Sequence, residues 1–289
     1  MTRRREPPKP SPARAHVAGG MAEIVPDPGR PYAAELYVAG TPQSHVDLAE
    51  PEYLAFEYVR YIGDVLDLVL PAGAPISALH LGGGGLTLPR YVHATRPRSR
   101  QRVAELDDAL VELVREALPL PRGHGITVSR RDARDLLERT RPGTYDVVVL
   151  DVYAGARMPA SLACREAMVL AAGALRPGGT FVVNLADGRP LAFARAMTAT
   201  ARTVFTDLGA ISDASTWRGR RFGNVVLVAS GTAVPWWPAL RRRLAGGPFP
   251  ARLVTGGDLA AFASGAPVVT DATAAPSPPP PADAFDRSR

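Results

Sequence analysis

Short apolar runs and longer amphipathic stretches alternate along the chain. The runs fall at Ile76–Leu81, up to Val103–Ala104, at Ile126–Ser129, at Tyr145–Asp151 and at Thr180–Leu185. Bounded by turn residues, each reads as a buried strand. YDVVVLD is the strongest of them, apolar on both faces as a central parallel strand must be. Between the strands, apolar positions three and four apart predict helices at Leu86–Ala94, Asp107–Leu118, Ala133–Arg139 and Ala160–Leu175. Ahead of them, Leu54, Phe56, Val59, Ile62, Val65, Leu66 and Val69 predict a helix over Pro51–Leu70, with Pro51 in its first turn and Pro71 beyond its end. Later come a turn at Arg176–Gly179, a helix over Pro190–Leu208, and an antiparallel pair, Ile211–Trp217 with Asn224–Ala229. Short helices at Trp236–Leu244 and near Asp258–Ala263 follow.

Strands alternating with helices, closed by an edge hairpin, predict an α/β fold of the class I methyltransferase-like kind. This is a doubly wound, mostly parallel sheet whose ligand sits at the carboxyl ends of the strands. Upstream, Ala34–Val46 reads as strand, turn at Gly40-Thr41-Pro42, and strand: a small N-terminal β-hairpin. The expected division is a disordered tail over 1–30, a hairpin region over 31–50, a nucleoside-binding domain over 51–270 and a disordered Pro-rich tail over 271–289.

Composition narrows the function. At 289 residues and 46% hydrophobic, the chain can bury one sizeable core and has room for a small second unit. A net charge of +6 raises nucleic acid as a partner. Lys9 is the single lysine, however, and the arginines are dispersed among acids. Their clusters (Arg3–Arg5, Arg98–Arg102, Arg218–Arg221, Arg241–Arg243) carry no interleaved aromatics, so they read as solvated faces and no nucleic-acid partner is expected. One cysteine, Cys164, excludes an internal disulfide and reads as a small core residue. No apolar stretch is long enough to span a membrane, and no apolar run follows the N-terminal arginines as in a secretion signal. A soluble, cytoplasmic protein is expected. His45, His80, His93 and His124 lack ligand spacing, so no metal site is expected.

The chemistry centres on the stretch Ile76–Asp108. A strand runs into Gly82, Gly83, Gly84 and Gly85. A helix follows, and then a second strand that ends at Glu105. Glycines there let a ligand approach the backbone, and a carboxylate about 20 residues on, at the tip of the next strand, can accept both hydroxyls of a ribose. GGGGLT does not place its glycines as a dinucleotide fingerprint requires, which argues against a nicotinamide-dependent dehydrogenase. Four strand ends converge in such a sheet, supplying Gly82–Gly85, Glu105, Asp132 with Ala133, and Asp151. Asp132 can accept from the exocyclic amine of adenine or cap the helix behind it, and the two roles are compatible. Tyr53 and Tyr153 are candidates for packing against an amine substrate.

Several stretches together resemble the spermidine synthase (polyamine aminopropyltransferase) family: LHLGGGGLTLPRYV, VAELDDALVELVRE, VSRRDARDLL, YDVVVLDVYAGARMPASL and RGRRFGNVVLVAS, preceded by LYVAGTPQSHVDLAEPEYLAFEYVR. The resemblance covers roughly 34–230. It implies transfer of an aminopropyl group from decarboxylated S-adenosylmethionine to an amine such as putrescine, with no permanently bound cofactor, and a homodimer as is common in that family. By the same resemblance Gln43 lies near the nucleoside, Glu105 binds ribose, Asp132 binds adenine, and Asp151 holds and deprotonates the attacking amine. Two positions depart from the pattern. Gly85 stands where the family usually has an acid (GGGDG), and Ala154 stands where a second acid usually follows the catalytic one. Each missing charge-assisted contact is of order 1.5–3 kcal/mol. Asp47, Glu50, Glu57 and Asp187 are the acids left to replace them. The alternatives are a methyltransferase using intact S-adenosylmethionine, which Gly85 would repel less, and a non-catalytic nucleoside-binding homologue.

Overall fold

The computed structural model describes residues 6–154 and 156–281. It begins with a four-stranded antiparallel meander: β1 (Ala13–Val17), β2 (Gly20–Pro26), β3 (Ala33–Val38) and β4 (Thr41–Asp47). The alternating part follows as α1 (Glu57–Leu66), β5 (Ser77–Leu81), α2 (Thr87–Thr95), β6 (Arg100–Ala104), α3 (Asp108–Ala117), β7 (Ile126–Ser129), α4 (Ala133–Glu138) and β8 (Tyr145–Leu150). A 3-10 turn at Ala160–Leu162 leads into α5 (Arg165–Ala174), β9 (Leu175–Asp187), α6 (Ala192–Ala201), β10 (Asp207–Ser212), α7 (Ala214–Trp217) and β11 (Gly223–Ser230). The regular elements end with α8 (Trp237–Gly246), β12 (Arg252–Thr255) and α9 (Gly256–Ala263).

The eight later strands form one sheet in the order β12-β10-β11-β9-β8-β5-β6-β7. Pairing is parallel from β9 through β8, β5 and β6 to β7, and antiparallel among β9, β11, β10 and β12. The chain winds outward from β5 in one direction and from β8 in the other, so the crevice of this methyltransferase-like sheet opens between those two strands. Side-chain alternation separates two cores. Val148 and Leu150 of β8 pack with Leu136, Met168 and Met197 of α4, α5 and α6. Val147 and Val149 face Ile62, Val92 and Leu240 of α1, α2 and α8. A third cluster joins Ile24, Leu36 and Val46 of the meander to Leu110, Leu113 and Val114 of α3.

Several expectations need correction. Residues 13–26 are not a disordered tail. Ala22 and Ile24 alternate inward onto α3, and β2 pairs along its length with β3, so the expected hairpin is the second half of a four-stranded sheet. Nor is 271–281 a loose tail, because Ser277 is fully buried and bonded to Met158. Residues 1–5 and 282–289 of those two expected tails lie outside the described residues. Helix α1 starts at Glu57 and stops at Leu66, short of the apolar pattern at both ends. Beyond it, buried Arg96 donates to the carbonyls of Leu66, Asp67, Leu70, Pro71 and Ala74, which wraps that segment into a loop. The strand expected at Ile211–Trp217 is instead Asp207–Ser212, because Asp213 accepts from the amides of Ser215 and Thr216 and starts a helical turn. Among the described residues, no helix is long and apolar enough to cross a membrane.

Candidate active site

Parallel register brings the central acid to its partner. Leu150 of β8 lies beside Val183 of β9, so the next residues on each strand, Asp151 and Asn184, are neighbours. Leu150 points into one core. Asp151 therefore points to the opposite face, toward α1. There Asn184 Nδ2 donates to Asp151 Oδ1 at 2.9 Å, and the Tyr58 hydroxyl of α1 donates to the same carboxylate. Asn184 is itself oriented by Asn224 Nδ2, which donates to its Oδ1 at 2.9 Å. Burial pushes the Asp151 pKa up to about 6, while the two donors pull against that rise. A carboxylate of this kind is poised to exchange a proton near neutral pH. Burial also raises the pKa of the Tyr58 and Tyr153 phenols, so both stay protonated.

Tyr153 lies two residues further along. Its hydroxyl donates to the Asn184 carbonyl at 2.9 Å and accepts from the Ala186 amide at 3.0 Å, which fixes the direction of its ring. Tyr53, paired with it in the sequence reading, is held elsewhere. The Arg30 guanidinium lies 3.8 Å from its ring centroid, and His45 meets it edge-on.

The glycine turn follows β5. Gly82 has φ +102°, and a Cβ there would meet the Asp151 carbonyl oxygen at 2.1 Å. Glycine is required at this point because β5 and β8 run side by side into the crevice. Glu105, at the end of β6, accepts from the amides of Gly83 at 3.1 Å and Gly84 at 3.4 Å through Oε2, and from Asp107 at 3.0 Å through Oε1. The turn and the acid predicted to flank a ribose are therefore in direct contact. Gly85 faces the other way. Its amide donates to Ser44 Oγ of β4 at 2.9 Å, and a Cβ would meet Ser44 Cβ at 2.9 Å and Val46 Cγ2 at 3.0 Å. The N-terminal sheet thus fills the space in which the family's loop acid would begin. Beneath the turn, buried Arg90 donates to the carbonyls of Gly85, Pro119 and Leu118, tying it to the end of α3.

Asp132 caps α4, accepting from Arg134 at 2.8 Å and Asp135 at 3.2 Å, and it remains exposed; Ala133 behind it is buried. Gln43 sits in β4 at an irregularity, where the pairing steps from Leu36–Ser44 to Tyr37–Pro42. The acids named as replacements are engaged. Arg30 pairs with Asp47 at 2.8 Å and with Glu50 at 2.5 Å, and Arg221 pairs with Glu57. Asp187 accepts from the amides of Gly188 and Ala194. Sequence reasoning missed Tyr58, Asn184, Ser44 and Arg90. Asn184 alone left a signal, as a polar residue inside an otherwise apolar strand.

No family model matches the chain. A curated polyamine aminopropyltransferase of Vibrio vulnificus (strain CMCP6) is 26% identical over 129 residues, which are 44% of this chain and 43% of that protein, so the match spans less than half of the curated relative. The crystal structure of a probable spermidine synthase from Corynebacterium glutamicum ATCC 13032 superposes with a TM-score of 0.83 at 31% identity, over 90% of this chain and 96% of that one. A spermidine synthase in complex with the transition-state analogue AdoDATO superposes with a TM-score of 0.57 at 13% identity, over 87% and 83% of the two chains, and at that identity it speaks for the fold alone. With likeness across nine-tenths of its length to a relative at 31% identity, the chain belongs to the spermidine synthase family of transferases, as a divergent member.

Proposed function

We propose that the protein transfers an aminopropyl group from decarboxylated S-adenosylmethionine to an amine acceptor such as putrescine, within polyamine biosynthesis in the cytoplasm. The observation that carries this reading is Asp151, a carboxylate of raised pKa held by Tyr58 and Asn184, with its backbone against Gly82 of the turn that Glu105 grips. In this reading the nucleoside lies over Gly82, Gly83 and Gly84, with its ribose hydroxyls on Glu105 and its adenine beside Asp132 and Ala133. Gln43 reaches it from β4. An acceptor ammonium ion is drawn to the Asp151 carboxylate and gives up one proton to it. The freed nitrogen lone pair attacks the propyl methylene next to the sulfonium. A C–N bond forms, the C–S bond breaks with its electrons passing to sulfur, and neutral methylthioadenosine leaves. Tyr153 packs its ring against the acceptor's methylenes, and alignment with the leaving sulfur is a positioning effect. Assembly as a homodimer belongs to the same proposal.

Gly85 favours a second reading, methyl transfer from intact S-adenosylmethionine. The turn carries no carboxylate at that position to grip an aminopropyl amine or to repel the cosubstrate's own carboxylate. Incubation with each nucleoside and a panel of amines separates the two. Methylthioadenosine release with the decarboxylated form supports the first reading. S-adenosylhomocysteine formation from the intact form replaces it with the second, and no product from either overturns both.

A further inference from the structure

Residues 264–281 form neither helix nor strand, yet the body binds them at intervals from Ser264 to Ser277. Arg195 donates to the Ser264 carbonyl at 2.9 Å, Arg165 N to the Val269 carbonyl at 2.8 Å, and Val269 N to Thr200 Oγ1 at 2.9 Å. Asp271 then meets three residues. Arg134 donates to both of its carboxylate oxygens at 3.2 and 2.9 Å, Cys164 Sγ donates at 2.9 Å, and the Asp271 amide bonds Glu166 at 2.8 Å. Arg134 sits two residues from Asp132, at the start of α4. Six residues further along, Ser277 reaches the segment that follows Asp151 and Tyr153. Met158 N donates to Ser277 Oγ at 2.9 Å, Ser277 N donates to the Met158 carbonyl at 3.0 Å, and Arg157 donates to the carbonyls of Ser277 at 2.5 Å and Pro276 at 3.2 Å. Met158 and Ser277 are both fully buried.

This chain of contacts joins two of the strand ends that form the crevice. We propose that residues 264–281 act as a clip and that Ser277 is a positioning residue for the acceptor side of the site. Through Met158 it fixes the segment that begins at Asp151 and carries Tyr153, while Asp271 fastens the same strap beside Asp132. The structural half of this inference stands on the contacts alone, and the functional half rests on the reading of the reaction given above. Paired backbone and hydroxyl bonds to a buried methionine hold a loop that has no regular structure of its own, and such loops open locally when their few anchors are lost.

Hydrogen exchange tests the structural half on the full chain, without reference to activity. In Ser277→Ala the Met158 amide is expected to exchange about 5–10-fold faster, as do its neighbours over 156–162, while β5, β8 and β9 keep their protection. Unchanged exchange there, or a uniform rise across the sheet, overturns the clip. A chain ending at residue 275 provides the second variant, with the same pattern expected and Asp271 still in place. For the functional half, steady-state kinetics of Ser277→Ala are expected to show the acceptor KM raised about 3–10-fold with the donor KM unchanged, whereas mere loss of folded enzyme lowers kcat alone. Faster exchange with an unchanged acceptor KM overturns the action on the site. If the wild-type protein uses no amine at all, it is the proposed reaction that fails, and the exchange result still decides the clip.

Discussion

Asp151 carries the strongest predictions at the scale of single residues, because burial has moved its pKa from 3.8 to about 6. The folded state therefore takes up a proton more readily than the unfolded chain. Stability that is full below about pH 4 is lost as pH rises through about 6, by on the order of 3 kcal/mol. Asp151→Asn removes that loss, so urea unfolding at pH 8 is expected to show the variant more stable than wild type, with the two equal near pH 4. Activity moves the opposite way. The reacting carboxylate must be ionised, so kcat/KM is expected to rise with pH through about 6, and Asp151→Asn is expected to lower the rate by about 10²–10⁴-fold and erase that limb. Beside the glycine turn, Glu105→Gln would, in the proposed reading, give up charge-assisted bonds to a ribose, of order 1.5–3 kcal/mol. Calorimetry with methylthioadenosine is expected to show affinity weaker by about 10–100-fold. Glu105 was legible from sequence because one short motif, a strand end after a glycine turn, places it. Tyr58 was not, because nothing along the chain says which face of α1 meets the end of β8. That contact depends on the register of three separate elements.

Individual strands and helices were read mostly by period, and the misreadings have local causes. Pro190–Leu208 looked like one helix because small and apolar residues continue past Ala201. The helix ends there, and the chain turns through residues 202–206 into β10. Strand β12 is four residues long at the sheet edge, too short to show a period. The most consequential contact between elements is β4 against the glycine turn. With Ser44 and Val46 within 3.0 Å of where a Gly85 side chain would start, Gly85→Ala is expected to cost about 1–3 kcal/mol by overpacking. In a Val46→Ala background the same change is expected to cost distinctly less, and a double-mutant cycle in urea measures the coupling. Simple additivity would mean that Val46 does not press on the turn and would leave Ser44 as the sole contact.

Among the described residues, the two sheets meet through α3 and at the glycine turn. The alternation of runs pointed to the α/β sheet, but composition misjudged residues 6–30, whose Arg, Pro and Gly content hides an alternating inward face of Ala22 and Ile24. Deleting residues 1–29 removes that face from Leu110, Leu113 and Val114. The expected result is a Tm lower by roughly 10 °C or more and new binding of a hydrophobic dye. A dispensable tail would leave both unchanged. The same junction sets a timetable for synthesis. The Ala18 amide bonds the Asp107 carboxylate 89 positions downstream, so the opening strands leave the ribosome well before the helix that covers them exists. At about 5–20 residues per second, they wait roughly 5–20 s with one oily side bare. Gly85 is made 22 residues ahead of Asp107, so the glycine turn is available to β4 before the helix is, and until α3 follows the bare side of the meander is a surface on which two nascent chains can associate.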